Sequence, residues 1–200
     1  MIHPVLRLPS EAVLLDLRAG PVQPTPQWSI GRYDEDRGIY TQALFTEGQA
    51  PRTVHMGLDL GGPAGESIWA PAPGRVIHAG YNPADGDYGH VLVLEHRLGE
   101  RPIWALYGHL SARSLEQSPP GREVVAGDLL GWLGPPEENG GWPPHVHVQL
   151  CWERPTTHDL PGAVAREDRA AALALYPDPR LLLGPVYAHP GEPPLLPLHP

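Results

Sequence analysis

The sequence predicts a mainly β domain: a small antiparallel sheet core with long loops on one side and one helix towards the C-terminal end. Three observations predict it. Proline and glycine are abundant, at 27 and 23 of 200 residues. Proline fixes φ and removes a backbone donor, and glycine supplies φ > 0, so a chain this rich in both is built of short strands joined by many turns and is not a helix bundle. Two-residue alternation of apolar positions recurs between Val54 and Trp152, which is the period of a strand. By contrast, residues 163–176, AVAREDRAAALALY, carry the Ala and Leu content of a clear helix, ended by Pro177 and Pro179.

Taken in order, Ser10 to Arg18 reads as a short helix, with Ser10 as N-cap and Gly20 as its stop. The following PVQPTPQW is a Pro-rich connector. From Ser29 to about Gly48 the pattern is irregular, with mixed charges in GRYDEDRG, and predicts a loop packed across the domain. Val91 to His96 is a strand with two distinct faces, Leu92, Leu94 and His96 on one and Val91, Val93 and Glu95 on the other. Ile103 to Leu110, Glu123 to Val125, Leu129 to Leu133 and Val146 to Trp152 are further strands, punctuated by prolines. The ending PVYAHPGEPPLLPLHP predicts a disordered or loosely docked tail. The organisation expected is an N-terminal extension and connector over 1–28, one domain over 29–184 and a Pro-rich tail over 185–200.

Composition excludes several partners. The formal net charge is −9, and no basic cluster overrides it. Nucleic acid and anionic membrane surfaces, which bind through Lys and Arg, are disfavoured, and anionic cell-wall polymers are repelled in the same way. The one cysteine, Cys151, can form no intrachain disulfide. No stretch approaches the roughly 18 apolar residues of a membrane helix. The opening MIHPVLRLPSEAVLLDLRAG lacks the charged start and unbroken apolar run of a secretory signal. A cytoplasmic location is expected for the chain as it stands, and an exported one if a leader has been removed.

Chemistry is concentrated in three histidine-bearing segments. In His55-Met56-Gly57-Leu58-Asp59 an extended chain turns His55, Gly57 and Asp59 to one face and Met56, Leu58 and Leu60 to the other. Gly57 leaves space between imidazole and carboxylate. In His145-Val146-His147 two imidazoles project side by side, and Val146 and Val148 face away. Tyr107-Gly108-His109-Leu110 ends an apolar strand. Imidazole and carboxylate suit zinc. A catalytic zinc site needs three protein ligands and one open position, plus side chains that take the proton of the activated water and stabilise the oxyanion. His55, Asp59, His109, His145 and His147 are the candidates. A single histidine, an isolated HxH or an isolated HxxxD is more often structural or exposed; the three segments together carry the signal.

Those segments resemble the three signature segments of lysostaphin-type zinc metalloendopeptidases, which act on peptidoglycan. The intervening WAPAPGRV (69–76), YGHVLVLEH (88–96) and VVAGDLLG (124–131) resemble the same family. The likeness covers roughly residues 54–150. It implies that His55, Asp59 and His147 bind a zinc ion and that His109 and His145 flank the water, without deciding which is the base. It implies a duplicated-hybrid-motif-like sheet with a loop-walled groove, and hydrolysis of a peptide bond in a cell-wall cross-link, often beside glycine or a D-residue. The chain departs from the family in the Pro-rich, acidic loop 135–144 and in His90, where asparagine is common. GGWPPHVHVQL and residues 177–184 also resemble a variant of the domain fused to aminotransferase-like and kinase-like domains. That variant, with the absence of wall-targeting repeats, motivates an alternative: a non-catalytic metal-binding or regulatory peptide-binding module with an intracellular role. The oligomeric state is not legible.

Other residues have plainer expectations. His96 is a buried hydrogen-bonding residue, and Cys151 a small core residue. His3, His158, His189 and His199 are exposed in loops or tails, and His78 and His90 are structural residues or approach the groove. Tyr107 either orients a histidine or fills the core. Trp142 and Tyr81 are candidates for the groove wall, and Glu137 and Glu138 for a solvated loop.

Overall fold

The computed structural model describes residues 2–187. The chain opens with β1 (Val13–Leu14), β2 (Ser29–Gly31), α1 (Ala43–Thr46), β3 (Arg52–His55), β4 (Leu58–Gly61) and β5 (Ser67–Trp69). The long strands follow: β6 (Gly74–Asn82), β7 (Gly89–Leu98) and β8 (Arg101–Leu110). Then come α2 (Arg113–Gln117), β9 (Glu123–Val124), β10 (Leu129–Trp132), β11 (His145–Cys151), β12 (Ala163–Ala165), α3 (Arg169–Leu175) and α4 (Arg180–Leu183). Eight strands form one sheet, in the order β1-β2-β4-β11-β8-β7-β6-β9. Two-stranded ribbons β5–β10 and β3–β12 stand apart from it. All pairings are antiparallel except β1 with β2. The fold is the mainly β one the composition predicts.

The β7–β8 hairpin turns through Gly99 and Glu100, closed by the Leu98–Arg101 pair. Gly99 sits at φ 61°, the left-handed value that a two-residue hairpin turn demands. Alternation along the strands then splits the apolar residues between two layers. Leu92, Leu94, Tyr107, Val146, Val148 and Leu150 enter one core with Ile68 and Leu130 of the β5–β10 ribbon. Val91, Val93, Leu106 and Cys151 enter a second, smaller core with Val54, Val164, Ala172 and Tyr176. The β3–β12 ribbon and α3 thus cover the far face of the sheet. Each fully buried Leu or Val contributes roughly 1.5–3 kcal/mol of transfer free energy, so both faces are held.

Several local expectations give way to tertiary pairing. Residues 10–18 form no helix. Val13 N–H donates to Trp28 C=O and Leu15 N–H to Ile30 C=O, making this stretch the edge strand beside β2. A helix of that length is marginal alone, and the sheet edge offers its backbone better partners. The loop expected over 29–48 contains β2, which pairs with β4, and α1. The C-terminal helix starts only at Arg169, because Ala163–Ala165 pairs with β3 instead; backbone pairing overrides helix propensity there. Met56 also leaves the face assigned to it. The chain kinks between β3 and β4, so Met56 enters the second core while Leu58 and Leu60 enter the first. Residues 188–200 of the Pro-rich tail lie outside the described residues. Among the described residues no helix is long and apolar enough to cross a membrane.

Candidate metal centre

The five residues read from the sequence all line one cavity of about 570 Å³ on the second face of the sheet. His147 lies opposite Asp59 across the β11–β4 pair and opposite Gly108 across β11–β8. His55 reaches in from β3. The space beside Gly57 is filled by the His147 ring: a Cβ on Gly57 would stand 2.3 Å from its Cε1. Glycine is therefore required where the two histidine-bearing strands pass.

Three ligand-type atoms converge. His55 Nε2 lies 2.9 Å from His147 Nδ1, His147 Nδ1 lies 3.0 Å from Asp59 Oδ1, and His55 Nε2 lies 3.3 Å from the same oxygen. The outer ring nitrogens fix the tautomers. His55 Nδ1–H donates to Arg32 C=O at 2.8 Å. Gln149 donates through Nε2 to Pro161 C=O, so its Oε1 faces inward and accepts from Tyr88 O–H at 3.2 Å and His147 Nε2–H at 3.2 Å. Both histidines then turn a lone pair toward the Asp59 carboxylate. Three acceptors facing one another repel unless a cation joins them, so this donor set fits zinc, and the outer hydrogen bonds are those that orient metal-bound imidazoles. Among the described residues this is the cluster of His, Cys, Asp and Glu side chains able to hold a metal ion.

Electrostatics favour the deprotonated ligands. Burial pushes His55 down to about 3, helped by the Arg37 charge. Burial opposes the charge of Asp59, but the Arg37 guanidinium at 2.7 Å helps hold the carboxyl well below its usual range.

His145 and His109 stand beside this trio. His145 Nδ1–H donates to Pro143 C=O and His109 Nδ1–H to Asn139 C=O, each at 2.8 Å, leaving both Nε2 atoms as acceptors. His145 Nε2 lies 3.8 Å from Asp59 Oδ1, and the two rings lie 4.2 Å apart. Burial lowers both pKa values, that of His109 far below the usual imidazole value. His109 reaches the site by an unusual route. Alternation would place it with Tyr107 in the first core, but it adopts φ 62°, a left-handed conformation rare for a side-chain-bearing residue, and its ring turns to the opposite face.

Tyr107 is fully buried and donates its hydroxyl to His96 Nε2 at 3.0 Å, so it orients His96 and not His109. His96 in turn donates Nδ1–H to Pro73 C=O, as a structural histidine does. Trp142 lines the cavity and meets Tyr40 and Phe45 edge-on. Tyr81 does not line it; it is exposed and stacks on His90. Glu138 is partly buried and accepts from Ala112 N–H.

Sequence reading missed Arg37, Glu35, Gln149, Tyr88 and Tyr40. Gln149 had a signal, since His145, His147 and Gln149 share one face of a strand. Arg37 and Glu35 had none, lying in an irregular mixed-charge stretch expected only to pack across the domain.

The family model for peptidase family M23 matches residues 53–158, which include all five residues. The chain belongs to peptidase family M23. Members of M23 are zinc metallopeptidases that act on peptidoglycan. Among solved structures, the chain is similar to the catalytic domain of the prophage-encoded M23 protein EnpA from Enterococcus faecalis, at 22% identity over 73% of this chain and 92% of that one, TM-score 0.47. It is similar to the catalytic domain of lysostaphin from Staphylococcus simulans, at 18% identity over 70% and 90%, TM-score 0.48. A zinc-containing peptidase from Vibrio cholerae matches at 18% identity over 75% of this chain and 36% of that one, TM-score 0.46. No curated protein sequence matches the chain.

Proposed function

We propose that this M23 chain is a zinc-dependent metalloendopeptidase that hydrolyses a peptide bond in a peptidoglycan-type cross-link peptide. His55, Asp59 and His147 hold the metal, and His109 and His145 act on the water and the developing oxyanion. The observation that carries the reading is the convergence of three lone-pair donors, two of them with tautomers locked from outside, next to two further imidazoles whose Nε2 atoms are unprotonated. Bound zinc supplies Lewis acidity and lowers the pKa of water toward neutrality.

The chain's own residues supply the rest. His109 and His145 are neutral at pH 7, so either Nε2 can accept a proton from water entering the cavity. Once protonated, that imidazolium is a donor beside the carbonyl oxygen that gains charge, and later a proton source for the leaving amine. The Asn139 and Pro143 carbonyls keep both rings aimed while this happens. Tyr40, Phe45 and Trp142 wall the cavity beside them with apolar surface, which excludes water around the peptide.

The test is hydrolysis of cross-linked muropeptides and of oligoglycine by zinc-loaded protein, by chelated protein and by His109→Ala and His145→Ala. Loss of one proton-transfer group should lower turnover about 10²- to 10⁴-fold. Full activity in both variants would remove the mechanism. Zinc uptake with no cleavage of either substrate class would favour the non-catalytic module.

A further inference from the structure

We propose that Arg37 is a positioning residue for the metal centre, holding Asp59 to a single inward-facing oxygen and tying the segment 31–37 to two of the three ligands. The inference rests on the metal reading above.

A charged pair inside a protein is costly unless its hydrogen bonds are complete. Arg37 is 4% exposed and Glu35 5%, although their segment is rich in charge. Every nitrogen of the guanidinium is occupied. Nε donates to Glu35 Oε2 at 3.2 Å. Nη1 donates to Asp59 Oδ2 at 2.7 Å and to Tyr40 Oη at 3.1 Å. Nη2 donates to Arg32 C=O at 3.2 Å, the same carbonyl that accepts His55 Nδ1–H. One guanidinium thus bonds to a candidate ligand directly and shares an acceptor with a second.

The carboxylate is divided by this contact. Oδ2 is held by Arg37, and Oδ1 alone faces His55 and His147. A free aspartate can chelate with both oxygens or rotate between them; this one presents a single donor. A second observation agrees. Gly31 pairs with Asp59 across β2–β4, and a Cβ there would stand 2.8 Å from both Arg37 Nη2 and Asp59 Oδ2. The backbone is bare at the point where guanidinium meets carboxylate.

A buried cation so close to a ligand would compete with the metal unless it were balanced. Glu35 balances it, and Leu17 N–H anchors the other Glu35 oxygen at 3.2 Å. Glu35 thus offsets the Arg37 charge beside Asp59, while the more exposed Arg32 guanidinium approaches the other Glu35 oxygen at 3.8 Å. Lysine could supply the charge but not the fork that spans Glu35, Asp59 and Arg32.

The experiment uses the full chain, stripped of metal. Zinc affinity is measured by competition with a chromophoric chelator, and coordination by the visible absorption of the Co²⁺ form. The proteins compared are wild type, Arg37→Met, Arg37→Met with Glu35→Gln, and Arg37→Lys. The expected result is zinc affinity lowered about 10- to 100-fold in Arg37→Met, with weaker Co²⁺ absorption as the second Asp59 oxygen joins the metal. Arg37→Lys should fall between wild type and Arg37→Met. The double variant removes both buried charges together and is read in place of Arg37→Met if that protein is unfolded by circular dichroism; Arg37→Lys is read if both are. Wild-type affinity and an unchanged Co²⁺ spectrum in the folded variants would overturn the proposal. A wild-type protein that takes up neither metal would overturn the metal reading beneath it, which is a distinct outcome.

Discussion

At the scale of single residues, the site is defined by what may stand next to His147. Gly57→Ala places a methyl group within 2.3 Å of that imidazole, so the ring must move off the line joining it to His55 and Asp59. Overpacking of this kind costs about 1–3 kcal/mol, which the two cores can absorb. The expected outcome is a folded protein whose zinc affinity, measured against a chelator, falls at least about tenfold, the loss seen when a metal ligand's orientation is disturbed. Unchanged affinity would mean that the His147 ring has no fixed place. His55, Asp59 and His147 were legible because two short segments each put donors on one face; alternation survives along β11, and the kink at Met56 and Gly57 moves Met56 to the other core yet leaves His55 and Asp59 lining the same cavity. Arg37 was not legible. Local sequence reports its charged neighbours, Asp34, Glu35 and Asp36, whereas its burial follows from Asp59, Tyr40 and the Arg32 carbonyl, of which only the two near it in sequence could be guessed at.

At the scale of elements, the end of β8 is the informative case. His109 at φ 62° holds a conformation that costs a side-chain-bearing residue roughly 1–2 kcal/mol relative to ordinary backbone. Strain stored in this way gathers at functional sites, and here it delivers an imidazole to a face that strand periodicity denies it. His109→Gly and His109→Ala remove the same ring, so both should lose turnover alike. The glycine variant should nevertheless be about 1 kcal/mol more stable than the alanine variant in urea unfolding. Equal stability would mean that the backbone relaxes once the ring is gone. The sequence placed His109 at the end of a strand but could not foresee the switch of face. The same limit explains the short helix expected at Ser10–Arg18: capping and composition are local, and the sheet edge at β2 that captured the segment is not.

At the scale of the whole molecule, the buried histidines tie stability to acidity. His55 is pushed down to about 3 and His96 to about 4, in both cases chiefly by burial, and His109 and His145 are lowered in the same way. Unfolded histidine titrates near 6.5, so below that pH the unfolded chain binds protons that the folded chain refuses. The stability these neutral rings contribute is complete above about pH 6.5 and is lost as pH falls toward the folded values. Asp159, whose carboxyl is raised chiefly by burial, runs the other way, one group against four. Metal-stripped protein should therefore show urea midpoints that decline steadily from pH 6.5 to pH 4.5. A flat profile over that window would mean that these rings are protonated or exposed in the folded state.

His55 belongs to the β3–β12 ribbon, whereas Asp59 and His147 belong to the eight-stranded sheet. An ion gripped by all three would act as a rivet between two layers that otherwise meet through side-chain packing, the kink at Met56 and Gly57, and hydrogen bonds such as those from Gln149 Nε2–H to Pro161 C=O and from His55 N–H to Glu35 C=O. Amide hydrogens of Val54 and Val164, at the heart of the ribbon, should then exchange with deuterium more slowly once zinc is added, while those of Leu92 and Leu94, deep in the large sheet, should keep their rates. Equal slowing everywhere would point to general tightening; no slowing at Val54 and Val164 would leave the ribbon held without the ion.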